Sequence, residues 1–409
     1  MDFIHFFGSS DLGSTTKEVS FTDEIGNVET QTITKQEFRI RIPIFNFKQK
    51  TKDSVHSWLG NTINRLIKLD LNQDKNFTAE VNYQDNTSKK VQQSSVFTNQ
   101  YIDGEYDVTD GVYTLTSILR NSKNGKELSR QSFSGEDFFS LIDKTTNFIK
   151  ENLLISPEIK DKYLDLDVKE MTTSSMKALE YWSKKDFEKA VKEDDKFTLA
   201  YFDNALRRTK YSQGELEEKY LIDKAYELRN NLPIQHQFEI LMYKHIVYER
   251  WEDAEELIKY QLEIDPNSPI YNELLYLIYS QTKNIDEYYK RAIKKFTKNR
   301  IPDPENAEKY WQALVFKRKF NEAKKLIGMF EVIAPNIEDV SRIKAYTNLV
   351  SGDFDEAKKN YKKIKRTWPR ESIQQNLIDE YISLKSNGKD VDFNKEMLLG
   401  IYRSPNSEQ

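Results

Sequence analysis

The chain's four histidines, His5, His56, His236 and His245, stand at no metal-ligand spacing. His236 and His245, nine residues apart in one predicted helix, project from roughly opposite faces. There is no cysteine, which excludes disulfides, thiol catalysis, iron–sulfur clusters and the usual structural zinc sites and leaves the redox compartment open. No G-x-x-x-x-G-K-[ST] loop is present, so nucleotide hydrolysis is unsupported, and Gly104 and Gly111 beside Asp103 and Asp110 read as turn residues. Asp103, Glu105, Asp107 and Asp110 form an acidic cluster without the ligand order or terminal bidentate glutamate of a calcium loop, and read as a solvated turn. Ser94, Ser95 and the run Thr172 to Ser175 have no histidine nearby in sequence to activate a hydroxyl; the second reads as a helix N-cap. The expectation is a chain with no catalytic, cofactor-binding or metal-binding residues, not an enzyme, and with no cofactor.

What must be positioned, then, is a surface. At 409 residues the chain exceeds the size at which one core keeps growing, so two structural units are expected. Hydrophobic residues make up 38% and aromatic residues 12%, enough to pack a core. A net charge of −4 gives no global attraction to nucleic acid or anionic lipid. Local basic runs exist at Lys290, Arg291, Lys294, Lys295, Lys298 and Arg300, and from Lys358 to Arg366; on predicted second helices they read as solvated faces. No stretch reaches the roughly 20 apolar residues of a membrane span. Met1 to Phe7 lacks the basic start and length of a signal peptide, and reads as a frayed or docked terminus rather than the cut end of a membrane segment.

Internal repeats are visible. Phe320-Asn321-Glu322-Ala323 and Phe354-Asp355-Glu356-Ala357 carry one phrase, and Phe320 to Phe354, Ala323 to Ala357 and Pro335 to Pro369 are each 34 residues apart, the tetratricopeptide period. Trp251-Glu252-Asp253-Ala254, followed by Pro266, repeats it 69 residues upstream of Ala323, two periods plus one, which places a small insertion near Ile301 to Asp303. In the intervening repeat Tyr288 replaces the alanine. A small residue lets two helices approach closely, and proline ends the second helix, because it lacks the N–H and clashes with the preceding turn. Upstream, Phe187 to Val191 reads as an earlier second helix, and a hairpin from Phe197 to Leu232 carries Ala225 and Leu228 inward with Gly214 at its turn. Ile373, Leu377, Ile378, Tyr381 and Leu384 read as the capping helix that solenoids require.

Before about Leu154 the texture differs. Phe38, Ile40, Ile42 and Ile44 alternate with Arg39, Arg41 and Pro43, a half-buried strand, with Pro43 marking an edge or the strand's end. Val55, Trp58, Leu59, Thr62, Ile63, Leu66 and Ile67 recur at helical spacing behind an Asp53 or Ser54 cap. Strands follow at Phe77 to Tyr83, Tyr101 to Tyr106, Val112 to Leu119 and Glu127 to Phe133, the last two flanking the hairpin pair Asn124-Gly125. Phe138 to Leu153 closes the domain as a helix, and Val19 to Thr22 with Val28 to Ile33 brackets Gly26-Asn27 as a separate hairpin or arm.

On Phe38 to Lys48, Trp58-Leu59-Gly60, Leu69-Asp70-Leu71-Asn72-Gln73, Tyr101-Ile102-Asp103-Gly104-Glu105-Tyr106 and Asn124-Gly125-Lys126-Glu127-Leu128, the first part resembles the TolB amino-terminal-type α/β domain. Phe197-Thr198-Leu199-Ala200-Tyr201, Lys224 to Arg229 and Gln237-Phe238-Glu239 resemble the junction at which that domain meets tetratricopeptide repeats. The resemblance spans about Phe38 to Pro369. It implies a module of bacterial one-component regulators, receptor serine/threonine kinases or cyclase-like proteins, whose effector domain lies outside the matching stretch. It also implies a periplasmic or membrane-tethered extracytoplasmic place, with the cytoplasm as the alternative.

The expected fold is therefore α+β, a small mixed-sheet α/β domain followed by an all-α tetratricopeptide solenoid. Its expected divisions are an N-terminal arm over 1–35, the α/β domain over 36–155, the array with its cap over 156–387 and a tail over 388–409. First-helix positions that line such an array's groove fall on His236, Glu239 and Tyr243, then Glu273, Leu277 and Gln281, then Glu308, Gln312 and Phe316, then Arg342 and Tyr346. This lining lacks the Lys/Asn set that clamps a terminal carboxylate and suits an extended peptide or a helix. The expected partner is a protein or peptide, not nucleic acid, with any membrane link made through a segment outside this chain, and the expected role is a sensor or scaffold in signalling. A soluble assembly factor is the alternative, and a small-molecule-binding or hydrolytic α/β domain the reading from another class.

Overall fold

The computed structural model describes residues 16–22, 28–34, 40–51, 54–74, 77–82, 98–153, 166–211, 215–264, 268–298, 304–333, 339–364 and 387. The chain divides into two units, 1–272 and 273–409. The architecture is an open mixed β-sheet with helices, followed by a helical solenoid.

Unit 1 opens with an antiparallel ribbon of β1 (Thr16–Thr22) and β2 (Val28–Thr34), registered from Thr16 opposite Thr34 to Thr22 opposite Val28. Five further strands, β3 (Ile40–Gln49), β4 (Phe77–Asn82), β5 (Gln100–Thr109), β6 (Val112–Asn121) and β7 (Glu127–Gly135), form one sheet in the order β4-β3-β5-β6-β7. β3 runs parallel to both β4 and β5, whereas β5, β6 and β7 are an antiparallel meander. Pro43 lies inside an internal strand rather than at an edge or end; registered pairing with β5 begins only after it, at Ile44. The turn between β5 and β6 is Asp110-Gly111, both left-handed at φ 51° and 79°, the pair that a two-residue hairpin favours.

Two helices cover one face of the sheet, α1 (Leu59–Leu71) on β3 and β4 and α2 (Phe138–Asn152) on β6 and β7. Asp137 caps α2 by accepting from the Phe139 N–H at 3.2 Å. α1 starts later than its periodicity suggests: Trp58 is its N-cap without a side-chain bond, and Val55 is 67% exposed. Gly104 is a mid-strand residue, not a turn residue. A Cβ there would lie 2.2 Å from the Phe47 ring and 2.3 Å from the Thr116 carbonyl, so β3, β5 and β6 close together only over a glycine.

The core begun by Ile44, Leu66, Ile102, Leu119 and Ile142 continues without a break into Leu179, Trp182, Phe197, Phe202 and Ile240. The sheet and the first helices of the solenoid are thus one hydrophobic body, bridged by α3 (Val168–Met171). Gln73 locks the crossing: its side-chain amide donates to the Leu166 carbonyl and accepts from the Leu166 N–H, both at 2.8 Å. Asp143 accepts from the Val168 N–H at 2.9 Å.

The solenoid helices pair as α4 (Met176–Ser183) with α5 (Phe187–Glu193) and α6 (Thr198–Tyr211) with α7 (Glu215–Glu227) in unit 1. α8 (Ile234–Val247) pairs with α9 (Trp251–Ile264), and the unit boundary falls inside α10 (Pro269–Gln281). Unit 2 continues with α11 (Ile285–Lys298), α12 (Pro304–Phe316), α13 (Phe320–Ile333), α14 (Asp339–Val350) and α15 (Phe354–Ile364), and from α11 onward each packs on the next. Ser175 caps α4 by accepting from the Ala178 N–H at 3.1 Å, as its serine-threonine run suggests. Pro266, Pro335, Pro369, Gly214 and the expected capping helix lie outside the described residues.

Five hairpin turns share one device. Lys185, Glu249, Lys283, Arg318 and Gly352 are left-handed, at φ 62°, 55°, 56°, 55° and 85°. In each, the left-handed residue's N–H and the next one's reach back to the first helix. Arg318 N–H bonds the Val315 carbonyl at 2.9 Å and Lys319 N–H the Leu314 carbonyl at 2.8 Å; Gly352 and Asp353 repeat this on Leu349 and Asn348. This two-bond stop satisfies carbonyls that a helix end leaves open. Five residues after the stop comes the landmark contact: Ala190, Ala254 and Ala323 are fully buried and Ala357 is 3% exposed. Tyr288 holds the same place, 1% exposed, with its ring against Tyr276 and Phe316 and its hydroxyl donating to Gln312 Oε1 at 2.5 Å.

Two stability changes follow. Ala323→Arg sets a charged chain into a closed contact and is expected to cost about 3 kcal/mol or more, overpacking plus an unpaired buried charge, seen as a lowered urea midpoint. Wild-type unfolding would mean the helix register is wrong. Arg318→Gly removes the Cβ strain of a left-handed residue, and thermal melting is expected to show a gain of up to about 1 kcal/mol. A loss would show that the arginine side chain itself holds the turn.

Candidate functional site

On α8, His236, Glu239 and Tyr243 share one side, at a spacing of three and four residues. Tyr243 packs edge-on against Phe202 of α6, centroids 5.6 Å apart, and burial, then the charge of Glu239, pushes its phenol up to about 12. Glu239 accepts from the Tyr271 hydroxyl at 3.1 Å. The His236 ring is half-buried, and its Nδ1 is shut off from solvent with no hydrogen-bond partner among the described residues. Burial pushes this imidazole below its ordinary value, Glu239 and Asp203 opposing the shift and Lys68 and Arg65 adding to it.

Those last charges place the sheet domain's α1 within reach of this wall. Arg65 donates to Asp203 Oδ2 at 2.8 Å, the Trp182 indole N–H donates to the same oxygen at 2.8 Å, and the Arg65 guanidinium lies 3.5 Å from the Trp182 ring centroid. One turn earlier on α1, Thr62 donates to Ser183 Oγ at 2.7 Å. One carboxylate therefore joins α1, α4 and α6 while half-shielded from water, where an ion pair is stronger than at an open surface. These side chains were not among the sequence-derived candidates; Arg65 and Asp203, 138 residues apart, carry no local pattern that couples them.

In unit 2, Glu273 of α10 accepts from the buried Lys309 of α12 at 2.5 Å while its own side chain stays 42% exposed. Leu277 is half-buried and Gln281 is exposed. On α12, Glu308 is half-buried, Gln312 is buried with its amide oxygen taken by Tyr288, and Phe316 stacks edge-on to Tyr288 at 5.3 Å. Tyr346 of α14 packs on the Trp311, Leu314 and Ile343 core. Arg342 lies on α14. The wall thus mixes solvent-facing groups, Glu273 and Gln281, with groups such as Gln312 that hold helices together.

The acidic cluster is dispersed. Asp103, Glu105 and Asp107 lie on strand β5, where the sequence suggested a solvated turn, and only Asp110 is in the turn. Arg120 Nε donates to both Asp103 oxygens, at 3.0 and 2.9 Å, and Lys50 pairs with Glu105 at 3.3 Å. His245 faces Asp253 at 3.7 Å, and no group of three or more His, Cys, Asp and Glu side chains is arranged to hold a metal ion among the described residues. In the first basic run Lys290 pairs with Glu287 at 2.6 Å, and in the second Lys359 with Glu356 at 3.0 Å.

Together these features define an α+β domain continued by a helical-hairpin solenoid. No protein-family model and no curated protein matches the sequence. Among solved structures, a MamA chain labelled AMB-1 is 20% identical over 44% of this chain and 96% of its own, at a TM-score of 0.28. TolB from Acinetobacter baumannii is 9% identical over 34% of this chain and 31% of its own, at 0.22. A PelC dodecamer from Paraburkholderia phytofirmans is 14% identical over 31% and 96%, at 0.20. Likeness at this level says nothing of what the chain binds.

His236 gives the wall a pH dependence whose sign is fixed. The unfolded chain takes up this proton as pH falls through the ordinary value of 6.5, while the native imidazole stays neutral until lower pH. Stability is therefore full above that value and falls as pH drops toward the native pKa. Urea midpoints measured over about pH 5 to 8, where histidine titrates, are expected to fall more steeply on the acid side for the wild type than for His236→Gln. Identical slopes would mean that His236 is solvated in the native state.

Proposed function

We propose that this chain is a non-catalytic protein-interaction module of the tetratricopeptide type, in which first-helix side chains hold a protein or peptide and the sheet domain anchors or transmits that binding. The observation that carries it is the linking of successive first helices through partly exposed groups: Glu239 with Tyr271 in unit 1, and Glu273 with Lys309 in unit 2. Each link orders a side chain that still reaches solvent, so little rotamer freedom is left to lose on binding. Aromatic groups on the first helices, Tyr243, Phe316 and Tyr346, are of the kind that dominates binding energy at interfaces. The continuous core from the sheet to Ile240 supports a mechanical role for the sheet domain, since α8 packs on α6, whose Asp203 holds Arg65 of α1. A part in a membrane-linked signalling protein belongs to this proposal as its wider setting.

The test is selection of linear peptides from a displayed library on the full chain, followed by titration of the winners. Tyr243→Ala in unit 1 and Tyr346→Ala in unit 2 are made separately, and the one whose unit holds the peptide is expected to weaken it by about tenfold, a single aromatic anchor's worth. Because Tyr243 also packs on Phe202, Gln281→Lys, at an exposed position, serves beside it as a surface variant and is expected to shift affinity while circular dichroism stays unchanged. Winners that bind all variants equally would move the site off the first helices.

A further inference from the structure

β7 is the outer strand of the sheet on its antiparallel side, and among the described residues nothing pairs with its far edge. Its side chains are exposed at Glu127, Leu128, Arg130, Gln131, Ser132 and Ser134 and half-buried at Ser129, Phe133 and Gly135. Natural sheets protect such an edge with charged side chains, lysine above all, with proline, with shortness or with a bulge that twists the edge away. β7 is nine residues long and has neither Lys nor Pro, and its one irregularity, at Leu128, falls next to its first residue. From Ser129 to Gly135 the register with β6 is regular.

We propose that this edge pairs with a second copy of the chain, β7 against β7, antiparallel about Ser132. That centre gives the regular segment its longest self-overlap. It sets Ser129 against the partner's Gly135, Arg130 against the partner's Ser134, and Gln131 against the partner's Phe133. Residues directly opposite lie on the same face of a sheet, and from Ser129 to Gly135 this register brings no like charges together. Glu127 and Arg130, the charges of the strand, already hold each other through two bonds at 3.0 and 2.8 Å. On the face away from α2, Thr116 meets Ser132 and Thr114 meets Ser134, hydroxyl to hydroxyl, each at 2.8 Å. Pairing about Ser132 extends the first of these rows across the axis to the partner's Ser132 and the partner's Thr116. On the α2 face, Phe133 stands 6.5 Å from Phe148, half-buried, and the partner's Gln131 would cover its open side. Edges that read a foreign peptide offer pockets at alternate positions. This one offers small hydroxyls whose best complement is the same row reversed.

The chain's lack of cysteine makes the test clean. Across an antiparallel pair the opposed Cα atoms are about 4.5–5.5 Å apart, inside the disulfide range. Full-length Ser132→Cys is expected to oxidise to a disulfide-linked dimer, whereas Lys123→Cys in the β6–β7 turn is not. In sedimentation velocity, Ser134→Glu, which faces the partner's Arg130 twice across the axis, tightens self-association, and Ser134→Lys loosens it, each by roughly threefold to tenfold. Both positions are exposed, and unchanged circular dichroism confirms that folding is not what moves. Equal cross-linking of the two cysteine variants, or a wild type that stays monomeric at every concentration reached, overturns the proposal. So do lysine and glutamate acting alike.

Discussion

The solenoid depends on one constraint applied repeatedly: a helix must end in a left-handed residue and its successor must touch it five residues later through a side chain of almost no size. The stop sets the direction in which the chain returns, and the contact sets how near it comes. Because both recur with the same offset, from Lys185 to Ala190 and from Gly352 to Ala357, successive hairpins are built to one geometry even where their sequences differ. Four of the five stops carry a charged side chain rather than glycine, so the conformation is imposed by the two backbone bonds and by the packing that follows, against about 1–2 kcal/mol of local preference each.

Tyr288 shows what the contact requires. A phenol in an alanine's place has to find room and a partner for its hydroxyl, since a buried unpaired O–H costs free energy. The room comes from an aromatic nest, Tyr276 on one side and Phe316 on the other, and the partner from Gln312. Two of these residues, Phe316 and Gln312, belong to the set expected to face a ligand. Departure from the repeat's phrase thus draws groove-type side chains into packing, and it leaves Glu273 and Gln281 as the more available groups of that wall.

Much of this was readable from residue order because it rests on local rules. Period-two alternation gave the first part of β3, Asn124-Gly125 the β6–β7 turn, and the 34-residue spacing the later helix pairs. What escaped reading is contact at a distance. Gly104 looks like a turn glycine until β3 and β6 are placed against it, and Asp103, Glu105 and Asp107 look like a loop because polar residues on a strand need a salt-bridging neighbour such as Arg120 to be explained. The left-handed stops carry no glycine to announce them, apart from Gly352. Trp58, not Asp53 or Ser54, begins α1, since burial of Leu59 rather than a capping side chain decides where the helix can start.

The join between sheet and solenoid bears most on function. Two modules connected by a few surface contacts move independently, and binding to one leaves the other unaware. Here Asp203 accepts from both Arg65 and Trp182, Gln73 grips the Leu166 backbone, and apolar packing runs through from Ile44 to Ile240. Separating the sheet from α4 and α6 would expose that packing and leave the half-buried charge of Asp203 with the Trp182 indole but without its cation, Arg65. A partner that strains α8 therefore meets a stiff body rather than a hinge, and whatever is attached to the sheet, including a second sheet joined at β7, would be held at a defined orientation to the first part of the array.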